Sequence, residues 1–475
     1  MKKIILFFIV LCFAETISGQ EKNFFIIQES EVYSLFNFMQ TASKKQGTSS
    51  TYQKYIDSKL GSNEDFKKLI KDFKSIDYNV GIVRQDYPQT RKNRRSYLDL
   101  LIPNAVKSKD VDDFNERITG ILPVSEQLKI YRTLKSALPY FKQYVWNDSE
   151  PKIKKQVKEL EKYNDLSSDL FIRFNRFYKS SWDTEIPFYV ALYPIPGKIG
   201  TTTAVPHGNA LCVGSMVEST DVKGSLGVTL HEMCHILYHE QSIEVQTELE
   251  KYFKESKSKY AKLAYSYFNE AMATALGNGY AYKVVNKGVL DKEIWYNNPT
   301  IDLFAKAIYP LTEQYLNENK SIDKRFIDQV IDKFAETFPD CIYEYAPNFN
   351  TVNIYTDQLD GNFIFDNFFE YFEANSVGIS SPMKNVSQSP KLLDDDSSFI
   401  ILLDNDQKEN LNELKKAFPE IRKINYEKSM QNISFIDCKG RMIIILFINK
   451  KEDLGPAFEK LEKHKKLDIN KLIQY

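Results

Sequence analysis

Cysteine and histidine are both scarce in this chain, five of each among 475 residues. Cys212, Cys234, Cys341 and Cys438 are widely spaced, which excludes a disulfide framework. The fold must then rest on its core, and a 13% aromatic content supplies one. Charge of either sign is not in excess. A formal net charge of −1 gives no field that favours nucleic acid or an anionic membrane. The basic cluster Arg91-Lys92-Asn93-Arg94-Arg95 is balanced by surrounding acids and reads as a solvated loop. Long apolar runs are missing as well, with one exception. Residues 4–14 are apolar, follow Met1-Lys2-Lys3 and lead to the small pair Ser18-Gly19. This pattern predicts a secretory signal over 1–19, too short to remain as a membrane span. Bulky Leu11 before Cys12 argues against a lipid anchor. The chain is therefore expected to be exported, periplasmic or extracellular, with no stable membrane insertion.

Two of the five histidines stand four apart, in His231-Glu232-Met233-Cys234-His235. The surrounding run, 224–238, has no proline and places apolar residues at helical spacing. On a helix the two imidazoles share one face, a turn or roughly 6 Å apart. They can grip one ion, at about 2.0–2.1 Å if it is zinc. Glu232 is rotated off that line, where it reaches a metal-held water as general base, the H-E-x-x-H arrangement. The competing reading is an amphipathic helix with two hydrogen-bonded histidines. A catalytic zinc takes a third protein ligand. The histidine and glycine that a metzincin needs are Gln241 and Tyr238 here. His239 lies two turns from His231, roughly 12 Å, too far to share its ion. A second apolar helix, predicted over 259–283, carries Glu270 among Ala261, Ala264, Ala271 and Ala275. A carboxylate on a packed face needs a counter-charge; a metal is the simplest one, and a Lys or Arg the alternative.

H-E-x-x-H followed by Asn269-Glu270-Ala271-Met272-Ala273 resembles the gluzincins, zinc metallopeptidases that include thermolysin and the zinc aminopeptidases. The resemblance covers about residues 187–285. It implies one Zn2+ per chain held by His231, His235 and Glu270, with Glu232 as catalytic base. It also implies that Asn209-Ala210-Leu211-Cys212-Val213-Gly214 is an edge strand for the substrate backbone. A Tyr or His is implied at the oxyanion; Tyr309 is the first choice, with Tyr280, Tyr282, Tyr296 and His207 as rivals. Three departures stand out. The interval from His235 to Glu270 is wide, and the acid usual four residues after the third ligand is Thr274, so another group must orient a zinc histidine. No acid occupies 208–214 to take a substrate amino terminus, a mild argument for endopeptidase action.

Length alone suggests roughly three domains. Residues 20–183 read as an N-terminal helical lobe, with helices at 65–76, 110–120, 125–145, 151–163 and 166–179. A zincin-like catalytic domain with a small mixed sheet follows over 184–375. Residues 376–398, rich in Ser, Pro and Asp, read as a linker. The remainder, 399–475, shows the order β-α-β-β-α of a small α/β module that carries no phosphate loop. The expected fold class is α+β, mainly helical. The expected function is a secreted zinc metallopeptidase acting on a peptide or protein substrate, without nucleic acid. Two other classes stay open: a metal-dependent hydrolase of a non-peptide amide or ester, and a binding protein on a peptidase scaffold.

Overall fold

The computed structural model describes residues 24–468 apart from 46–47, 79–80, 84–93, 291, 384–385, 390–391 and 393–395. The expected signal segment 1–19 and residues 91–93 of the basic cluster lie outside the described residues. The architecture is mainly helical α+β, built round two small mixed sheets. Among the described residues no helix is long and apolar enough to cross a membrane.

The first strand is β1 (Phe25–Glu29), and β2 (Gly81–Val83) with β3 (Arg94–Ser96) forms a separate antiparallel pair. Then come β4 (Phe188–Ile195), β5 (Ala204–His207) and β6 (Ala210–Met216). Their sheet has the order β1-β4-β6-β5, with only β5 antiparallel to its neighbour. Successive side chains on a strand point to opposite faces. On β4, Phe188, Val190 and Leu192 enter the core shared with the helices Val222–His239 and Ala261–Thr274. Ala191, Tyr193 and Ile195 enter the core of the N-terminal helices. Both faces are covered, which is why β4 reads as one apolar run instead of an alternating one.

Two expectations are corrected in this sheet. The mainly helical reading of the first lobe names no strand there and misses β1, a run too short for any period to show. It lies parallel to β4, with Phe25 stacked on Phe188 at 5.7 Å. The segment Asn209 to Gly214 is not an edge: β6 has β4 on one side and β5 on the other. Gly208, at φ +56°, opens the tight Gly-Asn turn that folds β5 back over it, a backbone shape glycine adopts without strain. The outer strand on this side of the sheet is therefore β5.

The second sheet holds β7 (Thr351–Tyr355), β8 (Ser376–Ser380), β9 (Ser398–Leu403), β10 (Asn432–Ile436) and β11 (Met442–Phe447). Its order is β10-β11-β9-β7-β8, and only β10 runs antiparallel. Ile400, Leu402, Ile444 and Leu446 pack under the helices Gly361–Tyr371 and Leu454–His464. Ile401, Ile443 and Ile445 pack under Gln407–Ala417 on the other face. From β9 onward the expected β-α-β-β-α order is present. The sheet also takes in β7 and β8, however. Ser376–Ser380, expected as linker, is a strand paired along its length with β7. Toward the other end, Ile153, Phe171 and Phe174 of the first lobe sit in the same core as the His231 helix.

Candidate metal centre

The helix Val222–His239 starts at Asp221, whose Oδ1 accepts from the Gly224 N–H at 2.9 Å and satisfies one open donor of the first turn. It runs between the first sheet and the Ala261–Thr274 helix. That second helix does not end at Thr274; it passes into a π-helical stretch, Ala275–Ala281. The π stretch and the histidine helix lie almost in backbone contact. A Cβ on Gly277 would fall 2.5 Å from His231 N and 2.6 Å from Gly227 O. Only glycine fits there without moving a main chain.

This packing brings His231, His235 and Glu270 together, although Glu270 is 35 positions along the chain from His235. The two Nε2 atoms are 3.0 Å apart, and Glu270 Oε2 lies 3.6 Å from His231 Nε2 and 3.4 Å from His235 Nε2. Ligand atoms on a tetrahedral zinc at about 2.0–2.1 Å are separated by about 3.3 Å, so the three atoms present fit one such ion. Among the described residues they form the one group of three or more His, Cys, Asp or Glu able to hold a metal. Both histidines are buried, and Glu270 keeps 19% of its side chain open to solvent.

The hydrogen bonds fix the histidine tautomers. Asn278 Nδ2 donates to the Trp295 carbonyl at 3.2 Å, which turns its Oδ1 toward His231 Nδ1 at 3.1 Å. His235 Nδ1 faces Asn269 Oδ1 at 3.2 Å. An amide oxygen only accepts, so each Nδ1 carries the proton and each Nε2 presents a lone pair. Two lone pairs and a carboxylate oxygen meeting at these distances repel unless a cation sits among them. Burial on its own raises the Glu270 carboxyl; when the imidazoles of His235 and His231 are protonated, with no metal between them, their charge and N–H groups more than offset it and hold it well below its ordinary value.

Asn278 answers the question that Thr274 raised. The orienting group is an amide eight residues past Glu270, carried by the π stretch, a feature frequent at functional sites. Its sequence signal was Gly277-Asn278-Gly279 inside an otherwise apolar helix, since glycine there needs a packing reason. An Asn278→Ala variant is expected to bind zinc about 10–100-fold more weakly, measured by competition with a chromophoric chelator.

Glu232 is buried beside the triad and is not one of its three members. Tyr309, the first choice for the oxyanion, is not brought to the triad. Its hydroxyl donates to Glu313 at 2.9 Å, and its ring packs edge-on against Trp295. The tyrosine at the triad is Tyr296. Its ring stacks on the His231 ring at 5.9 Å and 22°, and the Glu270 carboxylate is close enough to act on its phenol. Burial first, then the charges of Glu270 and Glu232, push its phenol far up, so it stays a donor. Asp302 Oδ1 holds the segment by accepting from Trp295 N at 2.7 Å. His207 pairs with Asp99 at 3.0 Å, tying β5 to the N-terminal helices. Tyr280 accepts from Arg173, and His239 stacks on His235 as an outer neighbour. The described cysteines are all free, Cys212 and Cys234 buried. No protein-family model, curated protein or solved structure matches this chain.

Proposed function

We propose that this chain is an exported zinc-dependent metallopeptidase that hydrolyses peptide bonds of peptide or protein substrates. The observation that carries this reading is the convergence of two Nε2 lone pairs and the Glu270 carboxylate, with Glu232 next to His231. A zinc ion held by His231, His235 and Glu270 supplies Lewis-acid chemistry, polarising the scissile carbonyl and acidifying water. Glu232 takes the proton of the attacking water on its carboxylate and passes it to the leaving amine. Asn278 and Asn269 keep the imidazoles in the tautomer that ligation needs. Tyr296, held protonated, donates to the oxygen on which negative charge develops.

Digestion of a mixed peptide library, read by mass spectrometry with Glu232→Gln as the blank, tests this reading. Cleavage confined to the wild-type sample supports it. Ester turnover without any peptide cleavage would move the chain to another hydrolase class. For Tyr296→Phe, zinc content stays at the wild-type level while kcat falls by about 10²-fold, the usual cost of losing one oxyanion donor. An unchanged kcat in that variant would remove Tyr296 from the mechanism.

A further inference from the structure

Trp295 and Tyr296, in the irregular stretch between the helices Tyr282–Val285 and Pro299–Asn317, reach His231 from two directions. Tyr296 stacks its ring on the imidazole at 5.9 Å. Trp295 acts through Asn278: its carbonyl accepts from Asn278 Nδ2 at 3.2 Å and leaves Oδ1 facing His231 Nδ1 at 3.1 Å. One carboxylate lies behind both residues. Asp302 Oδ1 accepts from Trp295 N at 2.7 Å and from Tyr296 N at 3.4 Å. Its Oδ2 accepts from Lys306 Nζ at 2.9 Å, and the same ammonium donates to the Glu293 carbonyl at 2.9 Å. Asp302 is only 7% exposed, so these donors stand in for the water it has left. The Trp295 indole fills the space over Gly279, where a Cβ would come within 2.8 Å of it, and meets Tyr309 edge-on at 5.5 Å.

The two ends of the Asn278 amide are chemically different. With Nδ2 held by the Trp295 carbonyl, only Oδ1 can face His231, which keeps its proton on Nδ1 and its lone pair on Nε2. An amide released from that carbonyl can turn over. Nδ2 then donates to Nδ1, the ring proton sits on Nε2, and no lone pair is left there for a cation. A shift of the same segment also carries the Tyr296 hydroxyl, and a misplacement of about 1 Å is enough to cost a large part of a rate. Asp302 touches neither His231 nor the triad, yet both effects pass through the two backbone N–H groups that it holds.

We propose that Asp302 is a positioning residue with two outputs: through Trp295 and Asn278 it sets the His231 tautomer that ligation needs, and through Tyr296 it sets the place of the proton donor. The second output rests on the peptidase reading; the first does not. In the metal-free full chain, nitrogen NMR of the His231 ring is expected to show the proton on Nδ1 in the wild type and both tautomers in Asp302→Ala. Zinc affinity, by chelator competition, is expected to fall about tenfold in Asp302→Ala and no further when Asn278→Ala is the background. On the best library peptide at saturating zinc, Asp302→Ala should lower kcat about tenfold with KM little changed, and should add little to the loss in Tyr296→Phe. Asp302→Asn keeps an acceptor for the Trp295 N–H and should restore the tautomer and most of kcat. Where Asp302→Ala does not fold, Gly279→Ala, which displaces the indole from the opposite side, is measured in the same two cycles. A His231 ring unchanged in the variant, or losses that simply add in the double variants, would overturn the proposal. Absence of any peptide cleavage by the wild type would remove the peptidase reading and the Tyr296 output with it, and the tautomer and zinc measurements would still decide the other.

Discussion

In a Glu232→Gln variant, peptide hydrolysis falls by a factor of about 10²–10⁴ while one zinc per chain remains bound. The two halves of that result have separate causes. Glutamine has nearly the volume of glutamate, so the buried position beside His231 is filled as before. It cannot accept a proton from water at neutral pH, so the base is gone. Zinc stays because Glu232 is not one of the three converging ligands. Initial rates on the best library peptide, with metal content of the same sample, check both. Wild-type rates in the variant would contradict the role given to Glu232. Loss of metal would mean that Glu232 is itself a ligand.

Glu270→Ala is expected to act at the opposite end of the mechanism. It removes the carboxylate oxygen at 3.4 and 3.6 Å from the imidazole nitrogens and leaves two lone pairs facing each other at 3.0 Å. Zinc affinity should drop by more than the roughly 10–100-fold that loss of an outer hydrogen-bond partner costs. Activity should vanish with it at ordinary zinc concentrations. Folding is coupled to the metal, since a ligand bound only by the native state adds stability as its concentration exceeds Kd. The wild-type melting temperature should therefore rise on zinc addition and that of Glu270→Ala should respond weakly. Chelator competition and thermal melts with and without zinc measure the two effects. Equal zinc affinity in the two proteins would dissolve the triad.

What could be read from the residues, and what could not, divides by distance along the chain. His231 and His235 are one helical turn apart, so their shared face follows from the helix period alone. Glu270 was readable because a carboxylate among alanines is costly without a cation, wherever the partner comes from. Asn278 was not, because the π stretch changes which way residues past Thr274 point, and a pattern of period 3.6 does not register it. Tyr309 misled although a local clue was present. Glu313 stands one turn further on the same helix and takes its hydroxyl. Tyr296 sits in an irregular segment whose place is set by Asp302 and Asn278, partners that no local pattern connects. The same contrast holds for the fold. β9, β10 and β11 announce themselves as apolar runs, while β8, Ser-Val-Gly-Ile-Ser, is polar enough at the sheet edge to pass for linker. The Gly208-Asn209 turn did carry a hairpin signal, and it puts β5, not β6, at the outside of the sheet on that side.

The most direct test is the metal content of the purified full chain, measured by inductively coupled plasma mass spectrometry after zinc loading and removal of the excess. Close to one zinc per chain in the wild type and in Glu232→Gln, and close to none in Glu270→Ala, is the expected pattern. Wild-type protein that retains no zinc would contradict the claim that His231, His235 and Glu270 hold a single cation.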